Sequence, residues 1–216
     1  MNRSAGPASA LLLIGPTGSG KTPLGNLIGE QGINGARCLH FDFGARLRAI
    51  SRMPLPPPLF TATEHAFVRE VLEQGALLED EHFPIAEKIL QHFLDAQGFK
   101  EHDLLVLNGL PRHRGQARSL KPIVAVRGLI VLDCCADDVC TRIGMNTGGD
   151  RTGRTDDEAG MIRRKLAVFR ERTEPLIAHY RAEGARVCRI SVGACTSVGD
   201  MYAEIRSFPF FAEEAP

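Results

Sequence analysis

The 216-residue sequence has no excess of charge of either sign, with 26 lysines and arginines against 26 aspartates and glutamates. That balance provides no global field towards nucleic acid or a membrane surface, so neither is expected as a partner. Long apolar runs are also missing. Leu11–Ile14 is far below the length of a spanning helix, and residues 1–10 are too short and polar to read as a targeting segment. Tryptophan is absent, which excludes little. The six cysteines, at 38, 134, 135, 140, 188 and 195, form no C-x-x-C pair, so neither a zinc knuckle nor a redox motif is supported. Cys134 and Cys188 fall in strand-like, apolar surroundings, where cysteine acts as a small hydrophobe. These absences point to a reduced, cytoplasmic protein.

What is present is a core and a phosphate loop. A hydrophobic content of 44% suffices for a sizeable interior, and the length suits one α/β domain over residues 1–216. Gly15-Pro-Thr-Gly-Ser-Gly-Lys-Thr22 is a complete G-x-x-x-x-G-K-[ST] motif, preceded by the apolar run Leu11–Ile14 and followed by a helix-like stretch. Its glycines allow positive φ and close backbone approach. Successive N–H groups then point into one concavity at a helix N-terminus, which favours an anion. Gly15, Gly18, Ser19 and Gly20 would surround the phosphates of a nucleoside triphosphate, read as ATP. Lys21 would reach the terminal phosphates, and Thr22 would ligate Mg²⁺.

Apolar runs alternate with helix-length amphipathic segments, the pattern of a parallel sheet covered on both faces. Strands are predicted at Ala10–Ile14, Ala36–Phe41, Leu104–Asn108, Gly128–Cys134 and Arg186–Val192. Helices are predicted at Lys21–Gln31, Gly44–Ser51, Thr63–Gly75, Asp80–Gln97, Arg114–Leu120, Ala136–Ile143, Asp157–Glu183 and Ser197–Arg206. The proline-rich Met53–Pro58 reads as a loop, and so does the glycine-rich Gly144–Gly153. Pro175 is expected to kink the long helix that contains it.

Two further stretches carry chemistry. Leu104-Leu-Val-Leu-Asn-Gly-Leu-Pro-Arg112, with Gln116 four residues on, puts a guanidinium after a strand end, where α/β sheets bind ligands and where its planar fork suits phosphate. Arg151-Thr-Gly-Arg-Thr-Asp-Asp-Glu158 opens a helix, with Arg163, Arg164 and Lys165 one turn inside. The charges there fit either a solvated helix face or a clamp on a transferring phosphoryl group.

Together these stretches resemble the nucleoside monophosphate kinases, most closely the adenylate and UMP/CMP kinases, over nearly the whole chain. The family's Asp-Gly-Phe-Pro-Arg with a downstream Gln is matched by Asn108-Gly-Leu-Pro-Arg112 and Gln116. Its Gly-Asp-x-x-Arg is matched by Gly44-Ala-Arg-Leu-Arg48, and its Gly-x-x-Val-x-Asp-Glu by Gly75-Ala-Leu-Leu-Glu-Asp-Glu81. Its Arg-x-Asp-Asp and Thr-x-Pro-Leu-Ile-x-x-Tyr are matched by Arg154-Thr-Asp-Asp157 and Thr173-Glu-Pro-Leu-Ile-Ala-His-Tyr180. The resemblance implies a three-layer phosphate-loop fold with a parallel five-stranded sheet flanked by helices. It also implies a monophosphate-binding insert over 42–98, a short lid loop over 144–155 and a monomer.

The same resemblance implies the roles. Lys21 and the loop amides would hold ATP, and Arg142 would pack near its adenine. Arg48 and Arg112 would grip a monophosphate acceptor, most simply AMP, and Gln116 would read its base. Arg151, Arg154 and Lys165 would join Lys21 and Arg112 around the transferring phosphate, with Mg²⁺ as cofactor.

The chain also departs from the family. Ala45 and Asn108 stand where the family has an acidic pair near Mg²⁺, which implies weakened metal positioning and reduced activity. Phe43 replaces an acceptor-site threonine, Asn146 a lid arginine, and Lys165 a helix arginine. Pro23 follows Gly-Lys-Thr and is tolerable in a first helical turn. Three readings stay open at this point: a nucleoside monophosphate kinase, a nucleotide-binding relative acting as sensor or partner protein, and a phosphate-loop transferase of another small acceptor.

Overall fold

A computed structural model describes residues 6–152 and 159–210. The first strand, β1 (Ala8–Ile14), is apolar on both faces. Ala10, Leu12 and Ile14 enter one layer of core, and Leu11 and Leu13 enter the other. That is the strand period of two applied to a run with no solvent-facing side. The same division holds in β3 (Leu104–Asn108), with Leu105 and Leu107 opposite Leu104 and Val106. It holds again in β4 (Val124–Asp133), with Leu129 and Val131 opposite Ile130 and Leu132. With β2 (Cys38–Asp42) and β5 (Arg186–Ser191), these strands pair in parallel in the order β2-β3-β1-β4-β5.

Helices cover both faces. Leu24 and Ile28 of α1 (Lys21–Gln31) share one core layer with Met201 and Ile205 of α9 (Val198–Arg206). The other layer takes Leu47 of α2 (Phe43–Ser51), Val68 and Val71 of α3 (Ala62–Gln74), and Leu90 and Phe93 of α4 (Phe83–Ala96). It is completed by Leu120 of α5 (Arg114–Leu120), and by Leu176 and Tyr180 of α8 (Pro175–Ala182). The expected three-layer phosphate-loop architecture with its five-stranded parallel sheet is therefore present. The helices of the 42–98 segment pack in the same core layer as β1 and β3. No helix among the described residues is long and apolar enough to cross a membrane.

Several boundaries differ from the sequence expectation for local reasons. β2 runs to Asp42 rather than Phe41, because Asp42 still pairs with Asn108. The helix expected from Asp80 starts instead at Phe83, after a 3₁₀ turn at Asp80–His82, with Pro84 in its first turn where a missing N–H costs nothing. The long helix expected from Asp157 is described from Ala159 as α7 (Ala159–Val168). It then widens into a π-helical turn, Phe169–Thr173, before Pro175 begins α8. The irregularity at Pro175 is thus a widened turn on its N-terminal side. Between β4 and α7, α6 (Ala136–Met145) starts on Cys135, whose sulfur accepts from the Asp138 N–H.

One glycine has a specific packing reason. Gly25 lies in the middle of α1, where alanine would normally be preferred by about 1 kcal/mol. A Cβ there would collide with the His40 imidazole on β2. The imidazole is held in that place by Asn26, whose Oδ1 lies 2.9 Å from His40 Nδ1. Gly25→Ala should therefore lower stability, by about 1–3 kcal/mol from overpacking, despite its better helix propensity. Adding His40→Ala should recover most of the loss. Urea denaturation of the single and double variants checks this, and a more stable Gly25→Ala would show that the close approach carries no penalty.

Candidate functional site

The carboxyl ends of β1, β2 and β3 open into one cleft, the usual ligand position in a sheet of this kind. The phosphate loop leaves β1 and reaches α1 through Gly18 (φ 77°) and Gly20 (φ 96°), left-handed conformations that glycine adopts without strain. Ser19 is fully buried and braces the loop from inside, its hydroxyl donating to the Pro16 carbonyl at 2.9 Å. The Lys21 ammonium arches back over the loop and donates to the carbonyls of Gly15 and Pro16, both at 2.6 Å.

Electrostatics make this a site that favours an anion. Burial, reinforced by the neighbouring Arg112 guanidinium, pulls the Lys21 pKa down to about 7. Burial also depresses Arg112, with Asp42 opposing the shift. Arg48, Arg112, Arg151 and Lys165 line the same cleft as Lys21, so cations from α2, the loop after β3, the 144–152 segment and α7 face one space. A phosphate placed there would stabilise all of them in their charged forms.

Arg112 is held at its backbone. Its N–H donates to Gln116 Oε1 at 2.8 Å, and its carbonyl accepts from the Thr173 hydroxyl at 2.8 Å in the π-helical turn. Gln116 is 1% exposed and donates through Nε2 to the Leu78 carbonyl at 2.8 Å. His113 Nε2 lies 2.9 Å from the same carbonyl, while its Nδ1 caps α5 by accepting from the Gln116 N–H. The Arg112 side of the cleft is thereby tied to Leu78, between α3 and α4, and Arg172 adds a two-pronged contact to Glu79 at 2.8 and 3.0 Å.

Arg142 takes a framing position. It is 2% exposed, and its guanidinium donates to the carbonyls of Gly18 (3.2 Å), Gly193 (2.8 Å), Ala194 (3.4 Å) and Thr196 (2.9 Å). Four carbonyls from two loops thus converge on one cation, which locks the phosphate loop to the segment following β5. Arg151 reaches over the phosphate loop, with Nη2 3.2 Å from Thr17 Oγ1, and its own N–H donates to Asn146 Oδ1 at 3.0 Å. Asn146, which replaces a lid arginine in the resemblance, therefore holds the backbone of a different arginine. Arg163 and Arg164 are exposed on α7, whereas Lys165 faces the cleft. Arg154 lies outside the described residues.

Sequence reasoning missed Asp42. Its Oδ2 is 2.5 Å from Thr22 Oγ1 and 2.9 Å from Asn108 Nδ2, beside the residue assigned to the metal. Asn108 was singled out by the family resemblance, which pointed to Ala45 and Asn108 and not to Asp42, and β2 was expected to stop at Phe41, one residue short of Asp42. Asp150, which also lines the cleft, was missed although its neighbour Arg151 was named, and Thr173 was missed because its hydroxyl meets the Arg112 carbonyl only through tertiary folding.

Fold and cleft together define a phosphate-loop kinase. No protein-family model matches the chain, but individual proteins do. It is 31% identical to the adenylate kinase of Natronomonas pharaonis over 199 residues, covering 82% of this chain and 86% of the relative. It is 32% identical to the adenylate kinase of Phocaeicola vulgatus over 181 residues (81% and 85%), and 27% identical to that of Thermus thermophilus over 204 residues (92% and 95%). The chain belongs to the adenylate kinase family. Among solved structures, a gluconokinase from Sinorhizobium meliloti 1021 superposes with a TM-score of 0.51 at 17% identity, covering 93% of this chain and 90% of that one. A sugar kinase from Janibacter sp. HTCC2649 gives 0.52 at 16% identity, with 91% of each chain covered. At such identities the likeness concerns the fold alone.

The depressed Lys21 has a measurable consequence. Phosphate prefers the charged ammonium and raises its pKa on binding, so above pH 7 a nucleotide must bring a proton with it. Nucleotide affinity should fall as pH rises from about 7 until the raised, bound-state pKa is passed. Calorimetric titrations with ADP at pH 8 in buffers of different ionisation enthalpy should reveal proton uptake that Lys21→Ala abolishes. Uptake unchanged in the variant would assign the proton elsewhere.

Proposed function

We propose that the protein transfers the terminal phosphoryl group of ATP to a nucleoside monophosphate, most simply AMP. The observation that carries this reading is the convergence of Arg48 and Arg112 on the cleft that also contains Lys21 and the phosphate loop. A protein that only sensed ATP would have no use for a second pair of phosphate-binding guanidiniums. Membership of the adenylate kinase family supports the same reading.

In this reading Lys21 and the loop amides hold the donor phosphates, while the guanidiniums of Arg48 and Arg112 hold the acceptor phosphate opposite them. Arg151 and Lys165 close the remaining sides, and Arg154 is proposed to join them. The chain's own work is alignment and charge neutralisation, which is most of what phosphoryl transfer requires. The donor set fits a hard cation. Thr22 and Asp42 offer oxygen ligands side by side, and the described residues contain no group of three or more His, Cys, Asp or Glu that would hold a metal alone. Such a site suits Mg²⁺, which prefers one or two protein oxygens plus phosphates and water. When bound, it would neutralise charge on the donor phosphates.

A second reading, transfer to a small acceptor other than a nucleotide, is favoured by Phe43 in the cleft wall and by the engagement of both ends of the Gln116 amide with backbone. An ADP-release assay separates the two, run with ATP and Mg²⁺ against AMP, CMP, UMP, GMP and dAMP, and separately against a sugar such as gluconate. Activity with at least one monophosphate is expected. Silence across that panel with ATP binding intact would remove the kinase reading.

Arg112→Lys tests the acceptor clamp. An ammonium cannot reproduce a bidentate fork, so kcat/KM for the monophosphate should fall about tenfold to a hundredfold, with the ATP KM changed less than about twofold. An acceptor KM equal to that of the wild type would mean that Arg112 does not touch the acceptor.

A further inference from the structure

Asp42 and Asn108 are exact partners in the parallel register of β2 and β3, and both side chains reach the mouth of the phosphate loop. Asp42 has two separate duties. Its Oδ1 accepts from the Ala45 N–H at 2.8 Å and so caps α2. Its Oδ2 lies 2.5 Å from Thr22 Oγ1 and 2.9 Å from Asn108 Nδ2. Asn108, itself 4% exposed, also approaches Thr22 Oγ1 at 3.1 Å through the same amide nitrogen. The result is a closed triangle of a carboxylate, an amide and a hydroxyl.

The chemistry of the triangle assigns the roles. A hydroxyl has one proton and two lone pairs. With its proton donated to Asp42, Thr22 keeps a lone pair available for a cation. The anion remains next to that oxygen, where it adds attraction. An amide can donate to both neighbours, whereas a carboxylate at position 108 would set two anions about 3 Å apart with only the single Thr22 proton to share, a strongly unfavourable arrangement unless one is protonated or a cation intervenes. Asn108 therefore does not read as an acid that has been lost.

We propose that Asp42 is the carboxylate that holds the nucleotide-bound divalent cation at Thr22, and that Asn108 is the positioning residue that aims it. The proposal rests on the nucleotide-site half of the reading above but needs no acceptor. The charge required at the metal is carried by the end of β2, and not by positions 45 and 108, where the family resemblance looked for it. Restoring aspartate at 108 alone is then not an improvement.

The test is binding of Mn²⁺ to the protein–ADP complex, followed by electron paramagnetic resonance or water-proton relaxation. Binding of ADP in EDTA and circular dichroism are measured alongside. Asp42→Asn should weaken Mn²⁺ binding at least tenfold while ADP affinity in EDTA holds within about threefold. Asp42→Ser, which keeps the α2 cap and removes the charge, should give the same split and guards against a folding defect in the first variant. Asn108→Asp should lower the melting temperature without metal and should not tighten Mn²⁺ beyond the wild type. The exchange Asp42→Asn with Asn108→Asp should return Mn²⁺ affinity to within about threefold of the wild type, since it restores one carboxylate and one amide on the same register pair.

Wild-type Mn²⁺ affinity in the folded Asp42 variants would overturn the proposal, as would equal losses of Mn²⁺ and metal-free ADP binding. A folded exchange variant no better than Asp42→Asn alone would overturn the role given to Asn108. A silent acceptor panel with these metal results intact would sink only the kinase reading.

Discussion

The structure turns on a partly buried ammonium set among charges of both signs at the phosphate loop. Lys21 donates to two backbone carbonyls, and burial together with the Arg112 and Arg151 guanidiniums draws its pKa down to about 7 against the opposing pull of Asp42 and Asp150. The surroundings fix its place. Ser19 pins the loop from below, Arg142 ties it to the segment after β5, and a sheet buried on both faces holds the strand ends in register. That frame is complementary to a chain of phosphates, because it sets the loop and the cations around one space.

The Arg112 side of the cleft is constructed differently. Arg112 is aimed through backbone contacts to Gln116 and Thr173, and Gln116 and His113 share the Leu78 carbonyl. The arginine is thus coupled to the segment before α4 on one side and to the π-helical turn on the other. A widened helical turn is a common device for turning one side chain out of regular register. Here it lets Thr173 reach across to the loop after β3.

The departures from the family pattern look different once they are placed in space. Asn146 anchors the backbone of Arg151, and Asn108 joins Asp42 and Thr22. In both cases an amide stands where the resemblance expected a charge, and a neighbouring residue carries a charge of the same sign. Sequence comparison position by position counts two losses. The geometry contains two side chains that support an arginine and an aspartate elsewhere in the chain.

Much was legible in one dimension because its cause is local. Apolar runs of strand length declare buried parallel strands, and the glycines and lysine of the loop declare a phosphate site, since only such residues provide positive φ, exposed amides and a reaching cation. Gly-x-Pro-Arg after a strand end declared Arg112 for the same reason. What the sequence could not express is which strand ends meet. Asp42 became a partner of Thr22 and Asn108 only when β2 and β3 paired in register, twenty residues from one and sixty-six from the other. Arg142 showed itself as a frame residue only when four carbonyls from distant loops closed around it. Local propensity and motif spacing determine elements and chemical type. Partners between distant segments depend on how the elements pack, and that is decided by the summed burial of a core to which each segment contributes only a part.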